Sequence, residues 1–169
     1  QLRESWIPER SEINQNKRAA TEDQYLTEVR ISDLLSEKHS ILSLFRKEDI
    51  DVKVLSVRRN NKVLKNPDHN MLLSHDDVLL ISCGLKQIKR ILKSSSVQVV
   101  CSYEEETRLK DQMRILEIVL SSQSELDRKK LREINFEKKN NIKVIGLRRK
   151  GRKLTQRIRD IELRSGDLL

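Results

Sequence analysis

Glycine occurs only four times in 169 residues, proline and cysteine twice each, and aromatic side chains make up 3%. The glycines, at 84, 146, 151 and 166, are too scattered for a GxGxxG or other phosphate-cradling loop. Cys83 and Cys101 stand in no CxxC or metal-like spacing. That excludes a disulfide framework or zinc ribbon and fits a reducing compartment. No apolar run approaches transmembrane length, and no signal peptide is visible. With so few aromatics the cores must be aliphatic. The same scarcity weighs against a single-strand nucleic-acid binder, which stacks bases on aromatic rings. His39, His69 and His75 form no nucleophile–base grouping, so no catalytic residue, metal ligand or cofactor is assigned and an enzyme is not expected.

What is abundant is charge. Charged and hydrophobic residues each make up 36%, and the net charge is +9. Its distribution is uneven: −1 over 1–23, +4 over 24–93, −2 over 94–112 and +8 over 113–169. A basic surface of this kind suits an anionic small ligand, an anionic membrane face or nucleic acid. The chain begins at Gln1 without an initiator methionine and stops at "SGDLL", inside an expected strand. It is therefore expected to be part of a longer protein.

Along the chain, the alternation in "YLTEVRI" predicts a strand, and Ser40 is placed to cap a helix over 41–48. Leu34, Leu35, Ile41, Leu42, Leu44 and Phe45 fall near helical spacing. "IDVKVLSV" reads as a half-buried strand with Ile50, Val52, Val54 and either Leu55 or Val57 inward. Asn60-Asn61 tolerate the positive φ of a tight hairpin turn. "VLLIS" reads as a buried strand, and Gly84 opens a helix whose face is Leu85, Ile88, Ile91 and Leu92. "VQVVCSY" predicts an extra strand, while "EEETRLKDQ" reads as helical or loose. Over 121–141 a longer helix is predicted, capped by Ser124 and facing inward with Leu126, Leu131, Ile134 and Phe136.

The chain repeats itself. "VKVLSVRRNN" at 52–61 returns as "IKVIGLRRKG" at 142–151, and "YLTEVRIS" as "RILEIVLS". Two copies about ninety residues apart are too few and too long for a solenoid. The copies align with a one-residue gap near the Pro67 loop. Lys150-Gly151 then matches the Asn60-Asn61 turn.

The order of strand with Glu, helix, "VxVLxVRR" strand, turn, loop, "GDxLL" strand and helix resembles the TrkA C-terminal (RCK C-terminal) domain. The motifs are "SVRRNNKVLKNPDHNMLLSHDDVLLISCGLKQIKRIL" in the first copy and "GLRRKG" with "RSGDLL" in the second. The departures are Asp76-Asp77 for the usual Gly-Asp, Ser56 and Asn61 where the second copy has Gly146 and Gly151, and no counterpart of Pro67 in the second copy. The resemblance implies an α+β chain of two tandem TrkA-C-like domains, each a small, mostly antiparallel sheet with packed helices. It implies a linker at 1–23 leading from a membrane segment, domains at 24–93 and 113–169 (the second truncated at its C-terminus), and a connection at 94–112. Two copies without a Rossmann fingerprint are similar to the cytoplasmic insert of sodium-coupled citrate/dicarboxylate/sulfate-type anion symporters. The alternatives are an aspartate–alanine antiporter-like transporter and a regulator of potassium or other cation transport.

Arginine forms bidentate bonds to phosphate and carboxylate, and adjacent residues of a strand point to opposite faces. Arg58, Arg59, Asn60, Arg148 and Arg149 are therefore the candidate binding residues for a small anion held between the copies. The resemblance extends this to a cyclic dinucleotide, because some members of the class bind cyclic di-AMP. The other reading of these arginines is that they brace their hairpins by pairing with Asp or Glu. The expected partners are the membrane segments of the parent chain and a second copy, either as a homodimer or as the intramolecular pseudo-dimer. Nucleic acid is not expected.

Overall fold

The structure is a computed structural model that describes residues 24–32, 39–100, 106–107, 114–134, 136, 142–152 and 154–169. The expected linker at 1–23, the pair Leu34 and Leu35, and Cys101 lie outside the described residues. The named elements are β1 (Gln24–Ile31), α1 (Ile41–Lys47), β2 (Lys53–Arg59), β3 (Lys62–Lys65), β4 (Val78–Gly84), α2 (Leu85–Ile91), β5 (Val97–Val100) and β6 (Glu106–Thr107). They form one antiparallel sheet in the order β3-β2-β4-β1-β5-β6, with the two helices packed on it.

Most local signals produce the element they predict. The Ser40 hydroxyl accepts from Ser43 N at 3.2 Å and caps α1, and Ile41, Leu44 and Phe45 are its buried face. Asn60 and Asn61 take φ of 48° and 62° and reverse the chain between β2 and β3. The uncertainty between Leu55 and Val57 has a structural cause. The β2–β4 register shifts between Val54 and Ser56, so the strand carries one extra residue there. Val57 then enters the core beneath the helices, and Leu55 packs into the core on the other face.

Both faces of the central strands are covered. Val29, Ile31, Leu79, Ile81 and Cys83 face the helices, while Leu26 and Leu80 join Leu131, Leu147, Ile161 and Leu163 in a second core. This two-sided burial is why "VLLIS" shows no polar alternation. Each fully buried Leu or Ile contributes about 1.5–3 kcal/mol by removal from water. Among the described residues no helix is long and apolar enough to cross a membrane.

Cys83 is 2% exposed, and burial pushes its thiol up to about 12. Between the unfolded value near 9 and that value, the unfolded chain releases the thiol proton and the folded chain keeps it. Stability therefore falls as pH rises through this window, by about 1.4 kcal/mol per pH unit from this group. At mildly alkaline pH, iodoacetamide is expected to modify Cys83 in a Cys101→Ser chain roughly a thousandfold more slowly when folded than in urea. Equal rates would place the thiol at the surface.

Two expectations are corrected. The helix predicted over 121–141 is not formed over 121–130; Phe136 is helical, and 135 and 137–141 lie outside the described residues. Residues 122–128 are turns, Arg128 has φ of 65°, and regular structure begins only with the 3-10 turn Leu131–Glu133. The Ser124 hydroxyl caps a turn instead, accepting from Leu126 N at 3.2 Å. Leu131 and Ile134 are buried as expected, so the apolar spacing was read correctly and the backbone was not. "EEETRLKDQ" includes β6, paired with β5 through Val99–Thr107 and Val100–Glu106, instead of helix at those two positions.

Candidate functional site

The same hydrogen bonds recur ninety positions apart. Arg59 Nε and Nη2 donate to Asp77 at 2.8 and 2.6 Å, and Nη2 also donates to Leu72 O at 2.8 Å. Arg149 Nε and Nη2 donate to Asp167 at 2.7 and 2.6 Å, and Nη2 donates to Glu162 O at 2.7 Å. Ser74 N and Arg164 N each donate to the matching aspartate at 2.8 Å. The turn before each aspartate needs positive φ, supplied by Asp76 at 64° and Gly166 at 86°. The offset is ninety both at Ser40–Leu72 with Lys130–Glu162 and at these ion pairs, so no gap falls near Pro67. The one-residue difference lies upstream, since Ile31 N and Leu120 N bond the carbonyls of Asp77 and Asp167.

The second arginine of each pair is therefore structural. Asp77 and Asp167 are fully buried. The hydrogen bond to Asp77 raises the affinity of Arg59 for its proton, and the bond to Asp167 does the same for Arg149, each outweighing desolvation. Asn60 is an exposed turn residue.

The first arginines go to different places. Arg58 turns toward Glu28, 3.7 Å away. Arg148 lies over the ring of Tyr25, 5.3 Å from its centroid, and the Tyr25 hydroxyl donates to Glu117. The two are not brought together, because the copies pack asymmetrically. β5 covers β1 only at Val29–Ile31, which leaves Leu26 to exchange both backbone hydrogen bonds with Leu147 at 2.8 and 2.9 Å. The reciprocal pairing would need an edge of β2, and β3 and β4 occupy both. Gly146 fits this junction closely, since a Cβ there would meet Leu26 O at 3.4 Å.

This join extends one row of the sheet across both copies: Lys53, Ser82, Leu26 and Leu147 are successive register neighbours. Above the row lies a groove of about 520 Å³. Gln24, Leu26, Lys53, Leu55 and Ser82 line one side. Leu147, Arg148, Arg149, Lys150, Gly151, Arg152, Leu154 and Thr155 line the other. Lys53, Arg148, Lys150 and Arg152 surround a leucine floor together with Arg149, whose guanidinium is already held by Asp167, and no carboxylate is among the described lining residues. Of the expected site residues, Arg148 and Arg149 line this groove and Arg58, Arg59 and Asn60 do not. Lys53, Lys150 and Arg152 were missed. The run "RRKGR" without an acidic neighbour was a readable signal for the last two, but Lys53 comes from a distant strand and carried none. The expected hairpin after Gly151 does not close: Gly151 takes φ of 74°, but among the described residues no returning strand pairs after it. The segment lines the groove instead. Among the described residues no group of His, Cys, Asp or Glu could hold a metal ion.

No protein-family description matches the chain. The chain is similar to the uncharacterized transporter sll0640 of Synechocystis sp., with 26% identity over 176 aligned positions covering 96% of this chain. It spans only 28% of that relative's length. Among solved structures it is similar to the RCK C domain of the potassium transport protein KtrA in complex with cyclic diadenosine monophosphate. That identity is 16%, covering 47% of this chain and 92% of that one, with a TM-score of 0.36. A likeness of that degree establishes neither fold nor function.

Proposed function

We propose that the chain is the regulatory part of a membrane transporter. In this reading two tandem TrkA-C-like units, 24–93 and 113–169, hold a small anionic ligand in the groove between Lys53 and Arg152. The observation that carries it is the groove itself, where cations from both copies surround an apolar floor with no opposing carboxylate among the described lining residues. Such a lining suits an anion with an apolar body, as a nucleotide has, better than a bare ion. The Synechocystis relative, a transporter by name, supports the setting. The sequence resemblance favours a dicarboxylate- or sulfate-type anion transporter as the parent, on its cytoplasmic side, over a potassium regulator or an aspartate–alanine antiporter-like protein.

The mechanism is allosteric and non-enzymatic. The groove has one wall from each copy, so a ligand that bridges them favours the joined arrangement and biases the attached membrane segments by its differential affinity. Calorimetric titration with cyclic di-AMP, citrate and succinate tests this, and saturable heat with at least one of them is the expected result.

A second reading has its own observation. Leu116, Ile118 and Val119 are 68%, 43% and 62% exposed on the first strand-like segment of the second copy. An apolar edge of this kind suits an interaction module that dimerises. Light scattering separates the two readings: a dimer unaffected by ligand supports the module, and a ligand-dependent mass or shape supports the sensor.

A further inference from the structure

A second pocket lies on the same face of the sheet, one row further along. Its floor is built from two register rows, Ser56–Leu80–Glu28 and Arg58–Val78. Residues 155–157 form its roof, and its volume is about 200 Å³. Arg58, Arg157, Ser56, Thr155 and Gln156 line it beside the apolar Val63, Val78 and Leu80, and the one acidic lining residue is Glu28.

Glu28 does not satisfy these donors. It is 4% exposed, and its Oε1 is taken by Ile158 N at 2.8 Å. Its Oε2 lies 3.7 Å from Arg58 Nη2 and 3.8 Å from Arg157 Nε, beyond hydrogen-bond reach. Arg157 Nε is buried with no hydrogen-bond partner. A buried donor left in this state is costly, and each such group calls for an explanation. The field points the same way. Burial lowers the affinity of Arg58 for its proton, and Arg157 adds to the effect; Glu28 opposes it, and Arg30 and Arg159 reinforce it. Arg58 and Arg157 thus both face the single Glu28 carboxylate.

We propose that this pocket is an oxyanion site, holding one phosphate- or sulfate-like group between Arg58, Arg157 and the hydroxyls of Ser56 and Thr155. The ion replaces the hydrogen bonds that Glu28 is too distant to make and neutralises the surplus positive charge. The pocket has less than half the volume of the groove, and Thr155 lines both. The inference does not rest on the groove reading.

The test is titration of the 169-residue chain with inorganic phosphate and with sulfate, at ionic strength held constant with chloride, read by amide chemical shifts. The expected result is saturable shifts centred on residues 56–58 and 155–158. Arg157→Ala weakens binding roughly tenfold or more, as loss of a charge-assisted hydrogen bond requires. Ser56→Ala, which keeps every charge, weakens it less and serves if Arg157→Ala does not fold. Glu28→Gln tightens binding, because it removes the opposing charge and keeps an oxygen for Ile158 N. Lys53→Glu/Arg152→Glu, which disables the groove, leaves the shifts at 56–58 and 155–158 in place. A nucleoside monophosphate binding here more tightly than phosphate identifies the phosphoryl group of a larger ligand as the occupant, and the reverse order identifies the free ion. Absence of saturation at tens of millimolar phosphate and sulfate, or weaker binding in Glu28→Gln, would overturn the assignment.

Discussion

Arg149→Ala is expected to lower the unfolding free energy by about 3–5 kcal/mol, the usual cost of stranding a buried charge. Asp167 is 1% exposed at its side chain and takes three hydrogen bonds in a fixed geometry. Removing the guanidinium leaves only Arg164 N to face that carboxylate. Small domains are stable by only about 5–15 kcal/mol, so this loss is a large share of the total and the variant is expected to unfold at a clearly lower urea concentration. Arg59→Ala strands Asp77 in the same way but costs less, because the Arg59 side chain is 39% exposed and solvent already screens its pair. Lysine does not rescue either position, since it lacks the planar fork that engages both carboxylate oxygens. Arg58→Ala should cost about 1 kcal/mol or less, because Glu28 keeps Ile158 N and Arg157. Urea denaturation of the four single variants Arg58→Ala, Arg59→Ala, Arg148→Ala and Arg149→Ala reads this directly. Equal small losses at all four would mean that the second arginines are surface residues like any other.

The other large expected effect is on binding. Lys53→Glu with Arg152→Glu reverses two charges on opposite walls of the groove, at exposed positions with no role in either core. The fold should therefore survive, while affinity for an anionic ligand falls by roughly a hundredfold, from two lost charge-assisted contacts. A single reversal should give an intermediate loss, and added salt should shrink the difference between parent and variants. A loss of affinity accompanied by a fall in melting temperature would point to a structural role for these two side chains instead.

These two experiments divide the basic residues into those that hold the chain together and those that face a ligand. The sequence shows part of that division. The first copy's strands and the Asn60-Asn61 hairpin turn come from local chemistry, as do the Ser40 cap and the apolar face of α2, and these are present where read; the second copy's expected strands form only isolated bridges among the described residues. The repeated arginine pairs are equally visible. Which arginine is structural depends on what stands beside it across the sheet, a tertiary fact. A clue was nevertheless present, because Arg59 precedes Asp77 and Arg149 precedes Asp167 by the same 18 residues. Opposite charges held at one spacing in both copies are what a shared ion pair produces.

The misread segments have physical causes. The stretch at 122–128 is rich in helix-forming residues, yet Arg128 takes a left-handed conformation and its N–H bonds Leu163 O at 2.8 Å, so tertiary pairing overrides propensity. One wall of the groove was legible in the run "RRKGR", but its floor and its other wall were not. Its floor exists only because Leu26 pairs with Leu147, and that pairing depends on how far β5 runs along β1. The Glu28 pocket was hidden for a related reason: Arg157 and Arg159 stand where the first copy has Pro67 and His69, so the repeat did not mark them, and only the packing of that loop on Arg58 gathers the charge.

Calorimetric titration of the chain with cyclic di-AMP, citrate and succinate, run beside the Lys53→Glu/Arg152→Glu and Arg58→Ala variants, tests the sensor reading most directly. The predicted result is saturable binding of one anionic ligand to the parent chain, lost in the groove variant and kept in Arg58→Ala. Absence of saturable heat with all three ligands at millimolar concentration, or binding that survives reversal of both groove charges, would contradict it.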